Sequence, residues 1–458
     1  MQLRWKKFSK ITILIFILDF LLFGSLGYLM PLVGDDLNWW SSWGVHYFFN
    51  GTFLHYDGRY LGDLLIILLS HSPYFSFVMY GACAVVLVYL LSKIVLTIFP
   101  KISWQLVLLV NSCFLLFLPR SIFQQIWGWH AGFANYLPSL IFPLFYLLLT
   151  LQAQNSSKVW SHRYWWLLLI IATLSQLLAE HITLLNCFAV IMVFFFRKHY
   201  VPTFVKNCWR PIAIGNFLGA ILMFMNEAYW KILLGKDSYR SLNQQQNETL
   251  ISYLKNMSVL HQQRFLLSCL LIFFLLAFVI WNNWHFNNPT LQITTFVLLS
   301  MAIISQLPFI IVAPYGPRCA LIFVLLFELV LGLNLAPWIT KVQLFLSPLL
   351  LVILTFGGLL LVNVARDYHQ TFTLARDLSV YQWHQHQPKT YVLNYHNTDL
   401  LWTNNNSIDH NFTTLFVNPK SKVVPVDYQT WRKFSKDLKL EQPTDRKILL
   451  HRLQEKVH

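Results

Sequence analysis

The chain has 458 residues and a formal net charge of +15, with 56% hydrophobic residues but only 12% charged residues. Soluble globular proteins carry roughly 25% charged residues, so this composition excludes a soluble protein. Of the 19 Asp and Glu residues, nine lie in residues 365–458. We therefore predict an all-α polytopic membrane body, residues 1–364, followed by a polar tail, residues 365–458.

A bilayer core about 30 Å thick requires roughly 20 apolar residues per spanning helix. The hydrophobic pattern predicts about eleven spans, at 11–33, 73–92, 103–118, 135–152, 164–179, 182–196, 211–226, 265–281, 290–312, 319–336 and 343–364. The first segment follows four cations but is long and lacks a small-residue cleavage site. It is therefore predicted to be a span rather than a cleavable signal peptide.

The distribution of charge predicts the orientation, because Lys and Arg accumulate in the cytoplasmic loops of membrane proteins. With the N-terminus in the cytoplasm, thirteen basic residues and no acidic residue fall on the inner side: Arg4, Lys6, Lys7, Lys10, Lys93, Lys101, Lys158, Arg163, Arg197, Lys198, Lys206, Arg210 and Lys341. An odd number of spans then places the tail outside the cell. The chain is thus predicted to be a multi-pass cell-membrane protein in contact with the lipid bilayer. Topology accounts for the excess of cations, so no nucleic-acid partner is predicted.

The tail contains three β-like runs, at 390–393, 414–417 and 423–426, separated by Asn-rich turns. This pattern predicts a small extracytoplasmic α+β domain. The six cysteines lie in or beside apolar segments and form no C-x-x-C pair, so neither a disulfide nor a zinc site is predicted.

The first outer loop carries adjacent carboxylates, Asp35 and Asp36, soon after the first span. Neighbouring like charges raise one pKa, as a general base requires. The alternative is an acidic helix end in water. Farther along, Asp57 and Arg59 suit either a turn closed by a salt bridge or a phosphate clamp.

The second outer loop is rich in aromatic and amide side chains, which suit a carbohydrate surface because rings stack on sugars and amides bond their hydroxyls. The residues are Trp127, Trp129, His130, Asn135 and Tyr136. The alternative is an aromatic belt at the membrane interface.

Other polar residues are scattered along the later spans. Glu180 and His181 occupy a short outer turn, which could be only a polar hairpin. Arg318 follows Tyr315 at the entrance to a span, where a buried cation is costly unless an anion answers it. That anion is either a phosphate headgroup or a side chain such as Glu180. Within the spans, Asp19 and Glu328 are either functional groups or neutral carboxyls hydrogen-bonded between helices.

At Gly34-Asp35-Asp36 the chain resembles the GT-C superfamily of integral membrane glycosyltransferases. More narrowly, its motifs resemble a bacterial family of uncharacterised polytopic proteins described as glucosyltransferases. These motifs are Asp35-Asp36, Asp57-Gly58-Arg59-Tyr60, Trp127-Gly128-Trp129 through Asn135-Tyr136-Leu137-Pro138, and Tyr315-Gly316-Pro317-Arg318. The resemblance covers residues 1–364 and implies a catalytic acidic pair in the first outer loop. The pair is contiguous here, which leaves open which carboxylate acts and whether a divalent cation takes part.

An extracytoplasmic transferase has no supply of nucleotide sugar, so the expected donor is a polyprenyl-phosphate sugar and the expected acceptor a cell-envelope glycan. In this hypothesis Asp35 or Asp36 deprotonates the acceptor, while Arg59 and Arg318 stabilise the departing phosphate. The predicted substrate-binding residues are Asp57, Trp127, Trp129, His130, Asn135, Tyr136, Glu180, His181 and Tyr315.

Two other functions fit the sequence. A polysaccharide polymerase or ligase would use cations and histidine in the loop 227–264, which contains Lys231, Lys236, Arg240 and His261. A lipid-linked substrate flippase or transporter would need ionisable groups along a path through the bilayer, where Asp19 and Glu328 are the candidates.

Overall fold

The computed structural model describes residues 9–154, 162–196, 198, 202–236, 241–242, 255, 270–272, 274–282, 285, 288–339, 342–394, 398, 400–402, 409–438 and 443–456. Most of these residues are helical. The helices of the first third are α1 (Lys10–Leu29), α2 (Asp35–Trp40), α3 (Ser42–His46), α4 (Phe53–Tyr56), α5 (Tyr60–His71), α6 (Pro73–Ile98), α7 (Trp104–Leu116), α8 (Arg120–Ile126) and α9 (His130–Ala153).

The remaining helices complete the bundle and the tail. They are α10 (Trp165–Ser175), α11 (Glu180–Phe195), α12 (Pro202–Phe224), α13 (Glu227–Leu233), α14 (Leu270–Asn282), α15 (Pro289–Ile310), α16 (Pro317–Ile339), α17 (Gln343–His384), α18 (His410–Phe416), α19 (Tyr428–Ser435) and α20 (Pro443–Lys456). Two short sheets occur among the described residues. Strand β1 (Ser241–Leu242) pairs antiparallel with β2 (Val312–Ala313), and β3 (Lys389–Asn394) pairs parallel with β4 (Lys422–Asp427).

Among the described residues, six helices are long and apolar enough to cross a membrane: α1, α6, α9, α15, α16 and α17. The number rises to eight if each of two bent pairs is one span, α7 with α8 (87°) and α12 with α13 (69°). The prediction of eleven spans is therefore not confirmed. Three of the predicted spans fall on shorter helices. The spans 164–179 and 182–196 correspond to α10 and α11, which have only 11 and 16 residues. The span 265–281 falls on α14, and its residues 265–269 lie outside the described part of the chain.

Helix α1 shows why these helices suit a bilayer. Its inward side chains, such as Ile15 and Leu26, are almost fully buried, while Ile11 and Leu14 on the other side are more than half exposed. A helix in water would carry polar residues on its exposed face. The exposed face of α1 is instead as apolar as its buried face.

Small residues allow α1 and α6 to pack closely. A Cβ atom added at Gly27 would lie only 2.5 Å from Cγ of Tyr80. Small residues are common where membrane helices approach each other. This contact fixes the end of α1, and therefore the start of the first loop, against the rest of the bundle.

Helix α17 connects the bundle to the C-terminal domain. Its 42 residues span about 63 Å at 1.5 Å per residue, roughly twice the thickness of a bilayer core. His369 stacks on Tyr28 at the end of α1 (centroids 6.4 Å apart), so the second half of α17 extends beyond that end. There it packs against the tail, for example through Phe372 on Phe412.

The tail confirms two of the three predicted strands, since 390–393 and 423–426 form β3 and β4. The prediction of a strand at 414–417 is wrong. Residues 410–416 form α18, because the side chain of Asp409 caps the helix by accepting the N–H groups of Asn411 and Phe412. The predicted boundary at 364–365 falls inside the continuous helix α17, whose second half belongs with the tail.

Two contacts show which segments of the chain lie at each end of the bundle. At one end, the side chain of Gln105 bonds Ser9 (2.8 Å). At the other end, the N–H of Gly34 donates to Asp409 (2.7 Å), so the tail and the first loop share that end. Which end faces the cytoplasm stays a prediction from the charges.

Candidate functional site

The two adjacent carboxylates open α2 directly after Gly34, whose φ of 56° is left-handed. They occupy different environments: Asp36 is fully buried and Asp35 is exposed. Successive residues on a helix point about 100° apart, because each turn holds 3.6 residues. One carboxylate therefore faces the protein while its neighbour faces solvent.

Asp36 is used to hold two loops together. Its Oδ1 accepts the N–H of Ala131 (2.8 Å), and its Oδ2 accepts the N–H groups of His130 (3.2 Å) and Val33 (3.3 Å). The carboxylate thus caps the start of α9 from another part of the chain, where a negative charge is favourable. These bonds fit a positioning group better than a base that must meet a substrate.

Asp35 has the properties of a base. Its side chain reaches solvent, yet desolvation by the surrounding protein and the charge of Asp36 raise its pKa to about 6, against an opposing effect of Arg318. At neutral pH it is mostly ionised, and its affinity for a proton is higher than that of an ordinary carboxylate.

Arg318 is held at the start of α16 by side chains of α8 and α9. Its backbone N–H and Nη1 both donate to Oε1 of Gln125 (3.2 and 3.1 Å), and its Nε donates to the hydroxyl of Tyr136 (3.2 Å). Its guanidinium also lies over the ring of Trp129, 5.4 Å from the centroid, a favourable position for a cation. The structure therefore brings Arg318 together with Trp129 and Tyr136, which the sequence singled out as part of the second outer loop.

Arg59 has a different environment. Its Nε donates to both carboxylate oxygens of Glu180 (2.9 and 3.0 Å), and the hydroxyl of Tyr229 donates to the same carboxylate (2.8 Å). Glu180 thus pairs with Arg59 in this structure. Asp57 is buried and closes the turn by accepting the backbone N–H of Arg59 (3.0 Å). Two carboxylates therefore stabilise this turn. Asp57 bonds the backbone of Arg59, whereas Glu180, 121 positions farther along the chain, forms the ion pair with its side chain.

Tyr136 lies between the two arginines. It is within electrostatic range of both Arg59 and Arg318, and its ring contacts His181 (centroids 5.5 Å apart). The ring of His181 in turn contacts Phe309, which contacts Tyr315 (5.1 and 5.7 Å). These residues form one continuous wall at the end of the bundle that carries Asp35.

The five residues predicted to form a sugar-binding surface in the second loop are instead all buried: Trp127, Trp129, His130, Asn135 and Tyr136. Asp57 and His181, which are also predicted to bind substrate, are buried as well. Trp127 is fully buried against Phe23 (centroids 4.5 Å apart), His130 is buried beside Asp36 (Nδ1–Oδ2 3.4 Å), and Asn135 is buried and donates to the carbonyl of Ala131 (3.0 Å). The backbone changes from helical at Trp127 to extended at Trp129. For this reason the two tryptophans pack against different neighbours, Phe23 for Trp127 and Trp402 for Trp129.

Sequence reasoning missed the contribution of the tail. Asp409 lies close enough to Asp35 and Asp36 to raise the pKa of Asp35, and Trp402 stacks on Trp129 (4.4 Å, 15°). The sequence does contain a capping signal, an Asp at the start of a helix. It contains no signal that this Asp meets a residue 375 positions earlier.

The regions that favour the other two functions are only partly described. Arg240 and His261 lie outside the described residues, while Lys231 pairs with Glu227 one turn earlier (2.8 Å). Within the bundle, Asp19 is buried and accepts a hydrogen bond from Ser112 (2.7 Å). This contact fits the hypothesis of a carboxyl that links two helices.

An apolar cavity of about 300 Å³ lies deeper in the bundle, between α9, α11, α12 and α15. It begins at Pro143 on α9 and Phe188 on α11, each seven positions beyond Tyr136 and His181. Seven helical residues correspond to about 10 Å. The same helices therefore carry polar groups at their ends and an apolar cavity below.

In the described part of the chain, no group of three or more His, Cys, Asp and Glu side chains is arranged to hold a metal ion. No protein-family model, curated protein or solved structure matches the chain.

Proposed function

We propose that the chain is a GT-C-type membrane glycosyltransferase. It would move a sugar from a polyprenyl-phosphate donor to a hydroxyl group of a cell-envelope glycan on the extracytoplasmic face. One observation carries the proposal: Asp35, a solvent-accessible carboxylate with a pKa of about 6, lies within electrostatic range of Arg318 at one end of an apolar helical bundle.

The proposed reaction inverts the anomeric carbon in one displacement. Asp35 takes the proton of the acceptor hydroxyl as the hydroxyl oxygen bonds to the anomeric carbon. The bond from that carbon to the phosphate oxygen breaks, and its electron pair leaves with the polyprenyl phosphate. Arg318 lies where a fixed cation could stabilise this charge. The bonds from Asp36 to the start of α9 fix the position of Asp35 relative to the second loop.

Two features support a lipid-linked donor. The charge distribution predicts that the site is extracytoplasmic, where nucleotide sugars are not supplied. In addition, a separate apolar cavity lies between the same helices, α9, α11, α12 and α15, and extends to Phe204 and Trp209 toward the opposite end of the bundle. It is lined by side chains such as Phe188, Met192 and Phe296. Apolar walls suit a hydrocarbon chain, whose transfer from water is favourable by about 0.8 kcal/mol per buried CH₂.

The proposal is tested with purified protein in liposomes. The liposomes receive an envelope glycan acceptor and a panel of hexoses, each offered as the polyprenyl phosphate and as the nucleotide sugar. We expect transfer of one sugar from a lipid-linked donor only, with the opposite anomeric configuration in the product. A ladder of growing products would instead indicate a polymerase. Movement of donor across the bilayer without a new glycosidic bond would indicate a flippase.

The pH dependence of the same reaction tests the base. Because the pKa of Asp35 is raised to about 6, the ionised form should predominate above pH 6. Below that pH, kcat/KM should fall about tenfold per unit as Asp35 becomes protonated. An acid limb near pH 4, where an ordinary Asp titrates, or a profile that is flat down to pH 4, would contradict this environment for the base.

A further inference from the structure

The residue before the proposed base is held on both sides by the tail. Oδ2 of Asp409 accepts the N–H of Gly34 (2.7 Å), and Nδ2 of Asn411 donates to the carbonyl of Gly34 (2.8 Å). Both side chains come from the start of α18. The polar groups of the Gly34 backbone are thus bonded by two residues that lie 375 and 377 positions away in the chain.

A third residue of the tail, Trp402, also contacts Gly34. A Cβ atom added at Gly34 would lie 2.3 Å from Cζ3 of Trp402, so the indole packs directly against the Gly34 backbone. The opposite partner of Trp402 is Trp129, which lies under the guanidinium of Arg318. The tail therefore contacts the neighbours of both groups to which we assign chemistry.

Two further bonds anchor this part of the tail to the second loop. The carbonyl of Thr398 accepts Nη2 of Arg120 (3.0 Å) and Nε2 of Gln124 (2.9 Å). Gln124 is the neighbour of Gln125, which orients Arg318. The second loop and the first loop are consequently joined through the tail as well as through Asp36.

Asp409 is placed where a carboxylate is costly, because desolvation by the surrounding protein raises its pKa. Asp427 offers a direct comparison. It caps the next tail helix, α19, by accepting the N–H of Thr430 (2.9 Å) at an exposed position. Both residues cap a helix. Among the contacts described, however, only Asp409 also bonds the first loop. Capping alone therefore does not account for the position of Asp409.

We propose that Asp409, Asn411 and Trp402 complete the active site by positioning Asp35 and Arg318. The inference rests on the proposed glycosyl transfer and assigns the C-terminal domain a part in it. Asp409 and Asn411 fix the peptide that orients Asp35, and Trp402 supports the ring beneath Arg318. None of the three is assigned contact with the reacting atoms.

The test compares Asp409→Asn with the matched cap variant Asp427→Asn in the full-length protein. We expect Asp409→Asn to lower kcat about 10- to 100-fold, the scale of a misplaced reactive group. The acid limb of the pH profile should also move to lower pH, because a charge that raises the pKa of Asp35 is lost. Asp427→Asn should change neither quantity.

Hydrogen exchange provides a second measurement that does not depend on catalysis. In Asp409→Asn the amide of Gly34 should exchange faster than in the wild type, and Asp427→Asn should leave it unchanged. Asn411→Ala, which removes the bond to the Gly34 carbonyl without removing the cap, should lower kcat in the same direction. This second variant keeps the test valid if Asp409→Asn does not fold.

The outcomes separate the two proposals. If Asp35→Asn is inactive while Asp409→Asn and Asn411→Ala match the wild type in kcat, acid limb and Gly34 exchange, positioning by the tail is overturned and the proposed function survives. If the wild type transfers no sugar, the proposed function fails. Faster Gly34 exchange in Asp409→Asn would still support the contact between the tail and the first loop.

Discussion

Replacing Asp35 by Asn should lower kcat/KM for glycosyl transfer by about 10²–10⁴-fold, the usual contribution of a general base. The amide is nearly the same size as the carboxylate but cannot take a proton. Because the Asp35 side chain is exposed, the variant should fold normally. The measurement is transfer in liposomes by protein matched for melting temperature and elution volume.

Asp36→Asn is the comparison variant, and its effect should arise through folding. Its carboxylate accepts N–H groups of Val33, His130 and Ala131, and an amide nitrogen turned toward them would leave a buried donor unsatisfied. Such a loss typically costs about 1–3 kcal/mol. We expect a lower melting temperature and lower yield. If both variants fold and transfer sugar at the wild-type rate, neither carboxylate is the base.

Replacing Arg318 by Gln should lower kcat by about 10²–10³-fold, as when one group that stabilises a developing negative charge is removed. The charge on the phosphate grows as its bond to the sugar breaks, so the loss should appear more in kcat than in KM. Arg318→Lys should retain part of the activity, because it keeps the charge but loses the planar set of donors that bonds Gln125 and Tyr136.

Arg432→Gln is the matched control. Arg432 forms an exposed ion pair with Asp367 in the tail (2.6 Å), so its loss should leave kcat near the wild-type value, since exposed pairs contribute little to stability. A rise in KM alone in Arg318→Gln would mean that the guanidinium binds substrate and transition state equally. That result would contradict the proposal that Arg318 stabilises the leaving group.

Local sequence was sufficient for features that depend on nearby residues. A spanning helix satisfies its backbone within its own segment and exposes apolar side chains to lipid, so α1 and α6 are visible as apolar runs. The acidic pair follows α1 so closely that its place at the end of the bundle could be predicted. Strands β3 and β4 were also predicted from short β-branched runs.

Local sequence could not tell which side of a short helix would be buried. Asp35 and Asp36 are identical in type and adjacent in position, yet one is exposed and the other caps α9. Likewise, the sequence suits Trp127 and Trp129 to a sugar-binding surface, yet both are buried in the core. These differences arise from packing against α1 and α9, which a hydrophobic pattern does not specify.

By itself, then, the sequence determined a helical membrane body, an acidic pair beyond its first helix and a partly β-structured tail, because hydropathy and turn chemistry act over a few residues. Only the tertiary structure decided that Asp35 is the accessible carboxylate, that Glu180 pairs with Arg59, and that the tail bonds Gly34. Each of these depends on contacts between distant segments. Hydrogen bonds and charges act over a few ångströms in space, whatever the separation along the chain, so such contacts follow from how the helices pack.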